Sequence, residues 1–297
     1  MKTKIQGFIA LLRPFTLLAP FIVSISVIIA SYAYSQRSDL DISQLLIFLL
    51  PASFCFVLLN GASNALNQAT DFIEDAISKP YRPIPKKILS RKEVLFFSFI
   101  LYVCALFASL FIHTLFSFFI LIIAFFSITY SLPPRMKKKL FINQIWVAVP
   151  RGFCAILASW SVFSDPFQPV PLVMGGVATL FLIGGTSAKD IIDVEADRAV
   201  GTKTLVNYFG IQKTAIFSLV CMSSAFLMIV PMIVFQIIQP YFLPLGIFFL
   251  FGILISWLML YTHKNKNYEN TSAWSLMYGT YFLFSLFFSF LTVLHTF

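Results

Sequence analysis

Nine long apolar runs alternate with short polar stretches along the 297 residues. They fall at roughly 15–34, 43–62, 94–112, 115–131, 142–163, 170–187, 214–235, 240–261 and 274–293. Most approach the ~20 residues a helix needs to cross the hydrocarbon core, and two are shorter. Alternating ten-residue strands, the mark of a membrane barrel, are absent, and helix is the other backbone form that satisfies itself in lipid. The longest polar stretch, 63–93, is too short for a separate soluble domain. The pattern predicts an all-α polytopic membrane protein, a nine-helix transmembrane bundle forming one domain over 1–297.

Composition strengthens this reading. Hydrophobic residues make up 59% of the chain, charged residues 11%, and mean hydropathy is +0.88. A net charge of +9 would suit a nucleic-acid partner, but its placement argues for the bilayer instead. All but two of the 21 Lys and Arg lie in the N-terminal stretch or follow runs 2, 4, 6 and 8. The exceptions are Arg37, on the opposite side, and Arg151, inside run 5. The positive-inside rule then puts the basic stretches in the cytoplasm and the C-terminus outside, in a cell inner (plasma) membrane, with no nucleic acid bound. Lys2 and Lys4 before an apolar run resemble a signal peptide. Yet Arg13 and Pro14 precede a run long enough to span, so the first span is kept. Cys55, Cys104, Cys154 and Cys221 stand singly in apolar runs and read as packing residues. His113, His263 and His295 read as interfacial. The 36 Phe suit either lipid contact or a pocket wall. Nothing in the chain specifies an oligomer.

Chemistry concentrates where two of these runs end. Asn67, Asp71 and Asp75 are spaced four apart after run 2, and Asp193 and Asp197 repeat the step after run 6. On a helix such positions share a face, where two ionised carboxylates repel by a few tenths of a kcal/mol. A hard divalent cation, which takes oxygen ligands, would remove that repulsion. Asp190 lies one turn before Asp193 and is placed either to join a metal shell or to support its ligands from behind, whereas Glu195 points away to solvent. A plain cytoplasmic loop accounts for nearby basic residues but not for carboxylates on one helical face. Two facing acidic sets amid Lys and Arg suit a diphosphate bridged to protein through Mg²⁺. No P-loop is present. The four-run offset between the sets suggests two halves, 15–131 and 142–261, with a ninth helix at 274–293.

These residues resemble the UbiA superfamily of intramembrane prenyltransferases. That family carries N-x-x-x-D-x-x-x-D after its second helix and D-x-x-x-D after its sixth. The Arg13-Pro14 pair, the stretch Tyr130-Ser131-Leu132-Pro133-Pro134-Arg135 with Lys137 and Lys138, and Gly201 to Thr204 are similar to further family segments. The resemblance runs from Arg13 to the last span. It implies two Mg²⁺ ions held through Asp71, Asp75, Asp193 and Asp197, with Asn67 as an oxygen donor or an orienting group beside them and Asp190, by its spacing, a further candidate ligand. It also implies Arg13, Arg82 and either Lys137 or Lys138 as clamps on an allylic prenyl diphosphate, with Tyr130, Lys189 and Lys203 as further substrate-binding candidates, although a positive-inside loop would show the same lysines. Loss of diphosphate would leave a prenyl cation for a small acceptor to attack. The Asp-x-Glu-x-Asp and Gly-x-Lys-Thr wording resembles branches that prenylate homogentisate, chlorophyll precursors or archaeal glycerol lipids.

Arg151 is the odd residue. An Arg within a span usually faces a cavity or a partner, and Pro150 beside it frees a carbonyl. It is read as a pocket residue toward the acceptor, the rival reading being a pair with an acid of a neighbouring helix. Rival functions fit less well. A CDP-alcohol phosphatidyltransferase would carry D-x-x-D-G-x-x-A-R, which is missing. A transporter places ionisable residues near the midplane, whereas the acids here lie at or beyond span ends. A scaffold has no use for paired motifs.

Overall fold

The structure, a computed structural model, describes residues 2–35, 42–261 and 271–296. Arg37 and His263 lie outside them. Among the described residues every regular element is helical. A short α1 (Lys2–Leu12) precedes α2 (Pro14–Ser35), α3 (Ile42–Thr70) and the short α4 (Phe72–Ser78). Two further long helices follow, α5 (Arg91–Ser109) and α6 (Thr114–Ser131). Next come α7 (Ile142–Val149) and α8 (Ala155–Trp160), joined by a π turn at Pro150–Cys154. After α9 (Pro169–Gly185) a 3₁₀ stretch, Thr186–Ile191, leads to α10 (Val194–Ala199) and α11 (Leu205–Phe209). The chain closes with α12 (Ile211–Leu227), α13 (Ile229–Val234), a 3₁₀ stretch at Pro240–Phe248, α14 (Phe249–Tyr261) and α15 (Ser272–Thr296).

Eight of these segments are long and apolar enough to cross a membrane, one fewer than the nine expected. The missing one is run 142–163. Pro150 has no N–H to continue the helical ladder, so the helix widens into the π turn and breaks into shorter pieces. A second difference concerns run 43–62. Its helix continues to Thr70, so Asn67 stands on the spanning helix itself rather than in a loop.

The helices pack as a bundle in which α3 lies between α2 and α5, α15 runs against α2, and α12 bridges α9 and α14. In lipid the apolar side chains gain little by leaving their solvent, so small residues that allow close approach govern packing. A side chain on Gly152 would collide with the Thr179 backbone nitrogen at 2.7 Å, and one on Gly184 with the Ser218 carbonyl at 2.8 Å. The phenylalanines divide between the core and the outer surface rather than between pocket and lipid. Phe226, Phe242, Phe284 and Phe288 are fully buried, Phe288 stacking on Trp160, whereas Phe96, Phe99, Phe107 and Phe125 stand exposed on outer helix faces. An outer surface this apolar is stable only against lipid tails. His113 caps α6, its Nδ1 accepting the Leu115 N–H at 3.3 Å, and His295 stacks on Tyr241.

Candidate active site

Both acidic sets take the same local form, each straddling a break between two helical segments. Asp71 separates α3 from α4, yet its N–H still bonds the Asn67 carbonyl at 2.9 Å, and the Asp75 N–H bonds the Asp71 carbonyl at 2.8 Å. Asp193 separates the 3₁₀ stretch from α10, and the Asp197 N–H bonds its carbonyl at 2.8 Å. The four-residue step therefore survives each break, and the carboxylates stay in line. Tertiary packing sets α4 against α10, which joins the two acidic sets into one layer.

Basic side chains interleave with this layer. Arg82 Nη1 donates to both oxygens of Asp75, at 2.7 and 2.8 Å, with both residues buried. Lys79 pairs with Asp193 and so ties the two sets together. Lys137 pairs with Asp71, which also accepts from Arg135 Nη2 at 3.0 Å. Asn67 Oδ1 accepts from Ser131 Oγ at 3.3 Å and faces Lys137. Asp190 and Asp197 have no ion pair among the described residues, and Asp190 Oδ2 is buried without a hydrogen bond.

The electrostatics follow from this uneven pairing. Burial, reinforced by the charges of Asp190 and Asp193, pushes Asp197 up to about 7. Burial would raise Asp193 as well, but Lys79 and Arg82 outweigh it and hold that carboxyl below its usual range. Lys137 is brought down to about 7 by burial and by the charges of Lys138 and Lys189. The second acidic set is thus under-compensated and gains from a bound cation. Its donors are all oxygens, the chemistry Mg²⁺ prefers. Among the described residues no three His, Cys, Asp or Glu already converge in a metal-binding group. Mg²⁺ is commonly held by one or two carboxylates together with phosphate oxygens, without an all-protein cage.

Beneath the layer lies a cavity of about 260 Å³ that reaches into the bundle as far as Phe56 and Ser159. Asn67, Asp71, Asp75, Arg82, Lys137, Asp190, Asp193 and Asp197 line its mouth, with Tyr130 and Lys189 bonded to each other at 3.0 Å. Arg13 lines it too, at the junction of α1 and α2, where its φ is +52°. Three amides on α3, again four apart, hold that junction. Gln68 and Asn64 donate to the carbonyls of Leu11 and Leu12 at 2.9 Å, and Asn60 donates to that of Thr16 at 3.0 Å. They satisfy carbonyls left without helical donors, those of Leu11 and Leu12 by the break at Arg13 and that of Thr16 by Pro20, which has no N–H. Arg151 lines the cavity below the layer and donates to the Tyr278 hydroxyl at 3.3 Å.

Two expected residues stand apart from the cavity wall. Lys138 reaches the Val200 carbonyl at 3.4 Å, and Lys203 is exposed. Thr202 and Thr204 on either side of Lys203 line the cavity instead. Thr204 caps α11 in a reciprocal pair with Asn207, which turns the intervening Lys outward. Sequence reasoning passed over Lys79 and Arg135 as site residues. Lys79 had a signal, since it continues the spacing of Asn67, Asp71 and Asp75 by one more step of four. Tyr278 and Tyr281 had none, being two aromatics among many.

Comparison with known proteins places the chain. The profile of the UbiA prenyltransferase family matches residues 23–293. The digeranylgeranylglyceryl phosphate synthase of Methanosphaera stadtmanae is 24% identical over 213 residues, 72% of each chain. The chloroplastic 2-acyl-4-prenylphloroglucinol 6-prenyltransferase of Humulus lupulus is 32% identical over 161 residues, 50% of this chain and 38% of that protein. The structure of a UbiA homolog from Archaeoglobus fulgidus bound to DMAPP and Mg²⁺ shares the fold, with a TM-score of 0.67 at 16% identity, over 97% of this chain and 99% of that one. The matched residues take in both acidic sets and every span from the second onward, and this integral membrane protein belongs to the UbiA prenyltransferase family.

Proposed function

We propose that this protein transfers a prenyl group from an allylic prenyl diphosphate to a small aromatic or lipid-precursor acceptor, using Mg²⁺ at the acidic layer. One observation carries the reading: two acidic sets far apart in the chain meet, among cations, at the mouth of a cavity inside an apolar bundle. Asp71, Asp75, Asp193 and Asp197, with Asn67 and Asp190, would hold two Mg²⁺ ions. When bound, the metal supplies positive charge to the leaving diphosphate. Arg13, Lys79, Arg82 and Lys137 line the same cavity and would donate to the remaining diphosphate oxygens. The allylic C–O bond breaks, its electron pair departing with diphosphate. The acceptor then forms the new bond to the prenyl carbon and gives up a proton. Apolar walls such as Val23, Phe56 and Leu59 hold the prenyl tail and keep water from the cation.

The relatives named above make a glyceryl lipid phosphate and prenylate a phloroglucinol, which supports an acceptor of either type. The test is transfer by purified protein with Mg²⁺, labelled prenyl diphosphates of several lengths and a panel of phenols and alkylglycerols. A prenylated product is expected. No product across the panel, or CMP release from a CDP-alcohol, overturns the reading.

The acidic layer is proposed to face the cytoplasm of a cell with the protein in its inner membrane, because the basic residues share its side. In a cysteine-free background, impermeant maleimide added outside should label Gln239→Cys and spare Lys86→Cys, both positions being exposed. The reverse pattern contradicts the orientation. Two four-helix halves plus α15 are also proposed, on the shared form of the two acidic breaks.

A further inference from the structure

Outside the cavity, four basic side chains gather where the chain re-enters the membrane after the first acidic set. Lys86 and Lys87 lie in the loop between α4 and α5, and Arg91 and Lys92 open α5. All four are exposed, and none makes an ion pair among the described residues. Arg91 instead lies over the Phe72 ring, 5.1 Å from its centroid. The first outward apolar side chain of α5 is Phe96, followed by Phe99 and Ile100. At ~1.5 Å per residue, Lys92 stands about 6 Å above Phe96. That height sets the cluster beside the headgroups of the leaflet that covers Phe96.

The cluster stands on a braced base. Lys87 has a φ of +57°, a left-handed conformation that strains any side chain and suits glycine. The loop holds it there, the Pro83 carbonyl accepting the N–H groups of Ile88 at 2.9 Å and Leu89 at 3.3 Å. Ile88 and Leu89 pack with Phe8 and Leu11 of α1, and Lys4 of α1 pairs with Glu93 at 2.7 Å. On its outer side α1 exposes Ile5 and Ile9, one turn apart, and the apolar stripe continues as Phe15 and Leu18 on the spanning helix α2. Thus α1 lies along the edge of the bilayer, its stripe toward the acyl chains and the basic cluster beside it.

We infer that this surface binds the phosphate-bearing headgroups of anionic lipids in the leaflet at the acidic-layer end of the bundle. Orientation in the membrane accounts for Lys and Arg scattered over that side. It does not account for four unpaired cations on one braced junction, one of them on strained backbone, beside a stripe continuous with the lipid-facing helices. A basic cluster of this size next to a spanning helix attracts anionic lipid, each charge being worth about fivefold in binding. The continuity with Phe15 and Phe96 favours the leaflet over a soluble acidic partner. The Lys86 N–H donates to the Arg82 carbonyl at 3.0 Å, so the loop that meets lipid on its outside carries a residue of the cavity mouth on its inside.

The test places a fluorescent reporter at the cluster. Phe96→Trp puts an indole on the lipid face one turn below Lys92, and each protein is compared with its own Phe96 parent so that the native Trp residues cancel. In vesicles of phosphatidylglycerol and phosphatidylcholine at low salt, one or the other lipid is brominated, and the ratio of the two quenching affinities is the preference. Phosphatidylglycerol should be favoured roughly tenfold. Lys87→Gly should lower the preference severalfold without lowering Tm, because glycine accepts that φ without strain. Lys86→Gln with Lys92→Gln, which leaves the backbone alone, should lower it at least as much. Removing two exposed charges elsewhere on the same side, Lys139→Gln with Lys213→Gln, should leave it unchanged. Equal quenching by the two lipids in the otherwise wild-type protein, or a control pair that acts as strongly as the cluster pair, overturns the inference. Full displacement by millimolar glycerol phosphate would reveal a site for free phosphate and overturn the lipid assignment.

Discussion

Replacing Asp71 or Asp193 by Asn should lower prenyl transfer by roughly 10²- to 10³-fold or more, with a melting temperature within several degrees of wild type. The two residues come from distant parts of the chain and meet in one layer through α4 and α10. If the layer acts as a unit, losing charge from either set damages the same step. Asn keeps the volume and one acceptor oxygen, so Arg135 and Lys137 retain a partner at position 71. Removing one charge of a buried pair ordinarily destabilises strongly. Here Lys137 is already lowered to about 7 and can shed its proton above that pH, which limits the loss. Asp193 keeps 27% of its side chain exposed at the mouth of the cavity, and Asn would leave Lys79 an acceptor oxygen there. Turnover and melting of the purified variants check this. Near-normal turnover in either one contradicts a joint site.

Much of the fold is legible in the sequence because lipid leaves the backbone little choice. A run of apolar residues near 20 long must close its own hydrogen bonds, so its identity as a spanning helix follows from length and hydropathy. What escaped was local. The π turn at Pro150 depends on how the broken ladder settles against α9, a tertiary matter. The extension of α3 to Thr70 escaped as well, because hydropathy falls after residue 62 while the helix continues through Asn64, Asn67 and Gln68, whose amides and carbonyls find partners within the bundle.

The acidic residues of the site were legible for a different reason. A four-residue step of carboxylates is visible without knowing any contact, and it survives the breaks at Asp71 and Asp193 because the backbone bonds across them persist. The basic residues were harder to sort. Charge on that side of the membrane is expected on topological grounds alone, so sequence does not separate Lys137, at the cavity, from Lys138 and Lys203, away from it. Packing makes that distinction: Lys138 turns to the Val200 carbonyl while its neighbour reaches Asp71.

The central claim is that the acidic layer works through Mg²⁺ on a diphosphate leaving group. An unpartnered buried oxygen on Asp190 and a raised Asp197 mark the part of the layer that the protein's own cations leave short of positive charge. Without the metal, the departing diphosphate would face those carboxylates with only the protein's cations to offset them. Activity should then fall to background in excess EDTA and return with added Mg²⁺ or Mn²⁺, and the effect should be total rather than graded. The most direct measurement follows inorganic diphosphate and prenylated product together from one purified sample, with Mg²⁺ and with EDTA. The account predicts one diphosphate released per prenyl group transferred, and neither in EDTA. Undiminished transfer in EDTA, or product formed without diphosphate, would contradict it.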